Sequence, residues 1–427
     1  MRKILILLFI PTIAFANIAE FFGASATTMG IGNQSNFNSD DPANNIYNAS
    51  LLANSEENSF SFNQYAIDTN FKSIDNIIVT SPINSGETSD QYGSVDTNYD
   101  NQYLNSIHGS FKIFKALKAK LNISLIIPME KVVEANTGDP YRPEYVMYRA
   151  RFKRTIAYLS YAQQLQKLSF SVGVMTGLQS NGETYVVARD SGSSNPTSGK
   201  MQFNAKPSAA LNFSLSRVHS WGETYFSFQD EMKSNLKNTA SGYTPIGASS
   251  LKYNWDLSTM LYYDPRVYRF GINKKNFIMS IEYQDWSGYE TPILNMKSNG
   301  GILISSEGVE NFKTRNIIIP KLAYTMSDFS IGISYRQSPL DLIEGASGNS
   351  VDVNTTILSL GHNYQFKALE QDFNFSSAFQ LHSLETTKII KSANRENGDA
   401  SGNKIGFPEY KASGSVYALS FGLNWVI

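Results

Sequence analysis

From about residue 58 onward the chain alternates apolar and polar side chains in segment after segment, at the period of two that a half-buried strand requires. Tyr417, Leu419, Phe421, Leu423, Trp425 and Ile427 share one face of the last such segment, and Ala418, Ser420, Gly422 and Asn424 share the other. Phe329, Ile331, Ile333 and Tyr335 oppose Ser330, Gly332, Ser334 and Arg336 in the same way. Further examples are Phe373, Phe375, Phe379 and Leu381 against Asn374, Ser376 and Gln380, and Phe277, Met279, Ile281 and Tyr283 against Ser280 and Glu282. Leu211, Phe213 and Leu215 likewise oppose Asn212, Ser214 and Ser216. One alternating strand would suit a soluble sandwich equally well. Repetition, with a second face of small polar residues, suits a wall between lipid and a wet lumen.

The connections sharpen this reading. Short links fall near 115–118, 163–167, 217–222, 273–276, 326–328 and 367–371. Long polar links fall near 68–102, 129–147, 179–201, 234–250, 289–313, 338–354 and 389–411. Short and long alternate, as short periplasmic turns and long external loops do in outer-membrane barrels. Seven long and six short links join 14 strands, with both ends on the periplasmic side. The expected fold is therefore all-β, a 14-stranded antiparallel transmembrane β-barrel. Asp264-Pro265-Arg266 interrupts the segment from about Leu257 to Ile272, and a bulge is expected there, with a true turn as the alternative, because proline removes a ladder donor.

Ahead of the strands, Arg2 and Lys3 precede the apolar run Ile4 to Ile10, and Ala14-Phe15-Ala16 offers a small-x-small cleavage site. The expected organisation is a signal peptide over 1–16, a luminal hatch or plug over 17–57 and the barrel over 58–427. The hatch expectation follows from size: 14 strands leave a lumen that stays open unless something occupies it. Residues 17–57 follow no strand pattern and are rich in Gly, Ala, Ser, Asn and Asp, which suits either a disordered segment or a compact insert in the pore.

Composition changes the picture at a few points. Charged residues make up only 17%, below the roughly 25% of soluble domains. Aromatics reach 13%, with 24 Tyr and 26 Phe. The chain has no cysteine, which excludes disulfides, thiolate metal sites and lipoprotein acylation. A formal net charge of −1 gives no reason to expect a nucleic-acid partner. His108, His219, His362 and His382 are scattered, with no zinc-protease spacing and no nucleophile elbow. Asp90, Asp96 and Asp100 lack calcium-loop spacing. No enzyme activity, cofactor or metal is expected.

Several stretches resemble the FadL-type outer-membrane long-chain fatty acid transporters. Glu20-Phe21-Phe22-Gly23-Ala24-Ser25, Met29-Gly30-Ile31-Gly32, Asp40-Asp41 and Asn48-Ala49-Ser50-Leu51 are similar to that family's N-terminal hatch, although the family usually reads Asn-Pro-Ala at the last motif. Ile126-Ile127-Pro128-Met129, Tyr283-Gln284-Asp285-Trp286-Ser287-Gly288-Tyr289 and the segment ending Gln337-Ser338-Pro339 resemble barrel motifs of the family in the expected order. The resemblance implies a monomeric barrel in a Gram-negative outer membrane. In that family a hydrophobic molecule is captured in an external groove, passes to a site beside the hatch, and leaves sideways through a gap at a kinked strand without ATP.

Three groups are candidate ligand contacts. Ile302, Leu303 and Ile304, with Leu340, Leu342 and Ile343, are apolar residues in otherwise polar external loops; they suit a groove or loop-on-loop packing equally. Arg149, Arg151 and Lys153 put three cations on one strand face, with Tyr148, Phe152, Ile156 and Tyr158 expected on the lipid side. These cations suit carboxylate recognition, pairing with hatch acids such as Asp40 and Asp41, or lipopolysaccharide phosphates. Phe21, Phe22, Met29 and Phe37 either line a lipid pocket or wedge the hatch against the wall. The expected function is passive uptake of fatty acids or hydrocarbons across the outer membrane. Membrane lipid and lipopolysaccharide are the expected surroundings, and the barrel insertion machinery the assembly partner. A receptor or secretion accessory is the alternative, and an open porin the third.

Overall fold

A computed structural model describes residues 19–83, 87–114, 118–129, 144–148, 155–177, 180–188, 197–205, 208–246, 249–289, 295–298, 303–305, 312–344, 350–368, 370–391, 404–405 and 409–427. The expected signal peptide lies outside these residues. Fourteen strands close into one antiparallel barrel. In chain order they are β1 Ser59–Phe71, β2 Gln102–Phe114, β3 Ala119–Pro128, β4 Ile156–Leu165, β5 Leu168–Gly177, β6 Ala209–His219 and β7 Gly222–Gln229. The second half comprises β8 Arg266–Lys274, β9 Phe277–Asp285, β10 Ile317–Met326, β11 Phe329–Arg336, β12 Thr355–Ala368, β13 Gln371–Ile390 and β14 Glu409–Val426. The first and last strands complete the ring, with every residue of β1 paired to β14 from Ser59–Val426 to Phe71–Gly414.

Short and long connections alternate around the ring as the sequence indicates. The tight turns hold Lys118, Gln166, Lys275 and Glu370 at φ of 46°, 58°, 57° and 63°. Hairpin turns whose twist matches the strands need such left-handed residues. The side-chain alternation sorts as expected: on β11, Phe329 and Ile331 are 58% and 51% exposed, whereas Ser330 and Ser334 are 6% and 2% exposed. An outer face this apolar belongs in hydrocarbon, since each large side chain left in water forgoes about 1.5–3 kcal/mol. The closed ring also gives every barrel strand a hydrogen-bonded neighbour on both sides.

The long connections build structure of their own. A six-stranded sheet runs Leu303–Ser305, Asn295–Ser298, Ser249–Asp264, Met232–Ile246, Thr197–Ala205, Ser180–Ala188. This sheet corrects the expectation at Pro265. Ser249–Asp264 pairs with Met232–Ile246 outside the barrel, whereas Arg266–Lys274 pairs within it. Pro265 is neither a bulge in one strand nor a hairpin turn; it is where the chain passes from one sheet to another. A residue without an N–H fits a point at which one ladder ends and the next begins.

One seam of the wall loses its pairing over several residues, whereas the β2–β3 and β13–β14 seams carry only short register shifts. Strands β10 and β11 pair from Met326–Phe329 up to Lys321–Ser334, and their ladder stops there, next to Pro320. Pairing resumes above the wall between Phe312–Thr314 and Leu340–Leu342, with Thr314 opposite Leu340 rather than the Asp341 that the lower register would bring. On its other side β10 stays paired to β9 through Ile317.

Candidate functional site

The lumen is filled by the N-terminal segment. Its helices α1 Ala19–Phe22 and α2 Ala26–Met29 are short, and two 3-10 turns follow at Pro42–Asn45 and Ala49–Asn54. Ser25 caps α2: its hydroxyl accepts from Thr28 N, and the Thr28 hydroxyl accepts from Ser25 N at 2.8 Å. Gly23 sits at φ +78°, and a Cβ there would lie 2.6 Å from the Met29 nitrogen, so the fold between α1 and α2 requires glycine. Asp41 caps the first 3-10 turn by accepting from Ala43 N at 3.0 Å. Burial pushes the Asp41 carboxyl above the ordinary carboxylate range, against the hydrogen bonds it accepts from Ala43, Asn36 and Ser25.

Wall side chains grip this insert mostly through neutral hydrogen bonds. Asn45 donates to Ser124 at 3.0 Å and accepts from Ser160 at 2.6 Å, and Ser50 N donates to Ser214 at 2.9 Å. Gln380 donates to Met29 O and Asn33 Oδ1, Ser280 donates to Gln34, and Ser330 donates to Gly30 O. The serine-rich inner face is thus the surface that receives the insert.

One sector uses charge instead. Glu282 accepts from Arg269 Nε at 2.9 Å, from Lys321 Nζ at 3.0 Å and from Gln284 at 2.6 Å. Arg269 Nη2 also lies 3.8 Å from Glu20 of the insert, and Lys321 donates to Asn33 O at 2.7 Å. Two cations and two carboxylates balance within this buried group, which ties β8, β9 and β10 to the insert.

Toward the external end the lumen becomes aromatic. Phe21 meets Tyr148 edge-on at 5.5 Å, Phe22 stacks on His382 at 4.8 Å, and Phe71 stacks on Tyr145 at 4.1 Å. The Tyr148 hydroxyl lies 3.2 Å from His382 Nδ1, and burial pushes its phenol up to about 12. Arg336 lies over the Phe21 ring at 4.8 Å, and its Nη2 donates to Asp352 at 3.0 Å. Its Nε and Nη1 are buried without hydrogen-bond partners.

The residues expected from sequence fall in several places. Phe21 and Phe22 belong to this aromatic cluster, and Met29 is fully buried behind Gly23. Phe37 lies elsewhere, packed on Tyr225 at 5.3 Å in a smaller cluster with Ile31, Leu51, Ile278 and Ala323. Leu340 is buried within the strand pair that bridges two external loops, Leu342 is half-buried there, and Ile343 is exposed. Leu303 and Ile304 lie in a short strand of the external sheet. Ile302, Arg149, Arg151, Phe152 and Lys153 lie outside the described residues. Their expected lipid-facing neighbours need correcting: Tyr148 sits in a turn, and Tyr148, Ile156 and Tyr158 are all buried inside. Outward on β4 is Leu159, 45% exposed. Apolar identity alone misassigned the faces, because an occupied lumen also accepts apolar side chains.

Sequence reasoning missed Arg269, Glu282 and Lys321 as a group, and Arg336 as part of a site. Their signal was available: a charge on a strand whose alternate residues are apolar must face inward and needs a partner.

No family model matches the chain, and no curated protein matches it. Among solved structures, a Pseudomonas aeruginosa FadL homologue is 12% identical, with 94% of this chain and 97% of that one aligned at a TM-score of 0.61. The Pseudomonas putida toluene transporter TodX is 10% identical over 94% and 97%, at a TM-score of 0.49. The Ralstonia pickettii toluene transporter TbuX is 11% identical over 93% and 97%, at 0.48. At such identity the first likeness is one of fold: this chain has the fold of the FadL homologue.

Proposed function

We propose that the protein is a passive transporter of hydrophobic molecules, fatty acids or hydrocarbons, in the outer membrane of a Gram-negative bacterium. The observation that carries this reading is the aromatic cluster of Phe21, Phe22, Phe71, Tyr145 and Tyr148, buried in a lumen into which the wall also turns Ile67, Leu104, Ile126, Ile156 and Tyr158. A water-filled pore has no use for buried rings at its external end, whereas an apolar ligand binds to apolar walls with a few polar groups. Arg336, buried over the Phe21 ring and paired with Asp352, is the polar group of such a site. The sequence resemblance and the shared fold support the same family. On this reading the insert is a hatch, and cargo enters from outside, rests against Phe21 and Phe22 and leaves sideways. The chain acts as a monomer placed by the barrel insertion machinery, with lipopolysaccharide around its loops. Catalysis has no part in it.

The test is uptake of labelled oleate and labelled toluene by cells with and without the protein. Loss of uptake of either compound on deletion, restored by the intact chain, is expected. Unchanged uptake of both, with reduced permeation of small hydrophilic solutes, would leave a porin instead. A second reading, a surface receptor, draws on the six-stranded external sheet. Its signature would be normal uptake by a variant lacking residues 180–205 together with loss of a surface interaction.

A further inference from the structure

The end of the barrel that carries the short turns faces the periplasm in proteins of this architecture. Its exposed cations fall into two sets. Lys112, Lys118 and Lys367 each lie beside an acid, Glu57 at 3.8 Å, Glu56 at 3.6 Å and Asp372 at 3.2 Å. Lys167, Arg217, Lys274 and Lys275 are exposed too, and among the described residues none of the four has an ion-pair partner. They occupy three successive turns, β4–β5, β6–β7 and β8–β9. The first two turns are tied together by a hydrogen bond from Val218 N to Lys167 O at 3.2 Å. Glu223, the acid that these turns carry, alternates inward with buried Tyr225 and accepts from Asn54 of the insert at 3.4 Å. The outer surface of this sector is therefore positive and uncompensated.

Register puts the cations at the lower margin of the lipid-facing wall. Arg217 pairs with Leu168 on one side and Thr224 on the other, and continues the outward face of Leu211 and Phe213. Lys274 pairs with Phe277 and continues the outward face of Phe270. One strand, β7, separates Arg217 from Lys274, so they stand about 10 Å apart across the sheet. Two long side chains can close that span around one anion. Apolar groups are interleaved with the charges: Leu165, Leu168, Trp221 and Phe277 are 44–53% exposed. The His219 ring stacks on Trp221 at 4.9 Å. Indole and cations together mark the depth at which acyl chains give way to headgroups. Arg217 and Lys274 point sideways along the wall, toward lipid, rather than down into the periplasm.

We infer that this arc is a binding surface for anionic phospholipid in the periplasmic leaflet. Arg217, with Lys167 on one side and Lys274 on the other, holds the phosphodiester, and the acyl chains lie on Leu168 and Phe277. The inference needs the barrel to stand in a membrane but takes nothing from what the barrel carries.

Native mass spectrometry of the full-length protein, released from vesicles of equal parts phosphatidylglycerol and phosphatidylcholine, reads the retained lipid directly. The wild type is expected to keep phosphatidylglycerol in at least about tenfold preference, since each cation near an anionic surface contributes about fivefold in affinity. Lys167→Gln, Arg217→Gln, Lys274→Gln and Lys275→Gln combined should bring that ratio close to one. Lys112→Gln, Lys118→Gln and Lys367→Gln combined should leave it unchanged, because those cations already have partners. All seven positions are exposed, and heat-modifiable migration on gels checks that both variants form the barrel. Equal retention of the two lipids by the wild type, or an undiminished preference in the fourfold variant, would overturn the inference. A wild type without lipid preference whose cross-link to a periplasmic protein is lost in the fourfold variant would overturn it in favour of a protein partner. No readout involves uptake, so failure of the transport reading would leave the arc standing.

Discussion

Two seams of this barrel are held in different ways. Where β1 meets β14 the chain closes on itself through thirteen consecutive residue pairs. Where β10 meets β11 it forms six, then parts for several residues and rejoins out of register. The first seam takes its strength from backbone. The second has its flank held by side chains, since Glu282, Arg269 and Lys321 link β8, β9 and β10 to the insert. A ladder distributes its hold evenly along a strand. An ion group concentrates it at one point and leaves the backbone nearby free to be irregular.

The largest effect is expected from Glu282→Gln. It leaves two buried cations sharing the more distant Glu20, and loss of one member of such a group costs about 3–5 kcal/mol. Urea unfolding of the solubilised barrel measures it, and a shift of less than a third of that would mean the ladder holds this flank after all. Next comes Gly422→Val at the closing seam. Its side chain would start 2.1 Å from Asn63 Oδ1, the atom that accepts from Ala26 N of the insert. Overpacking there should cost about 1–3 kcal/mol and loosen the insert, visible as faster protease cleavage within residues 19–55. A smaller contrast needs no mutation. Amides of residues 317–319 and 335–338 that point into the gap should exchange at least about tenfold faster than those of residues 419–425, since local opening takes less energy where pairing is absent. Equal protection would erase the comparison. Least of all is expected from Lys118→Ala, which removes a 3.6 Å contact to Glu56 between two exposed side chains. Its unfolding midpoint should match the wild type, because exposed pairs are screened and mobile.

The wall was legible in the sequence because lipid imposes one rule on every strand. Phe329 to Tyr335 and Tyr417 to Trp425 obey it, and the alternation of short and long links gave the strand number and order. The lumen was less legible because its rule changes with what fills it. Tyr158 and Ile156 read as lipid-facing from their character alone, yet both lie inside, where the insert offers an apolar surface. Pro265 was visible as an interruption, but its meaning depended on a second sheet that no local pattern announces. The aromatic cluster was half visible: Phe21 and Phe22 stood out in a polar segment, whereas Tyr145, Tyr148 and His382 come from a loop and a strand far apart in the chain. Only the closed ring brings them together.

The uneven grip on the insert has a mechanical consequence. Around most of the circumference it hangs on hydroxyl and amide contacts, each exchangeable for water at little loss, while its buried ion pair to the wall, among the described residues, lies beside β8, β9 and β10. Any tug that displaces the insert would peel it from the hydroxyl-bearing strands first and swing it about the pinned flank as a door swings on its jamb. The hinge line of that door runs alongside the strand that carries Pro320.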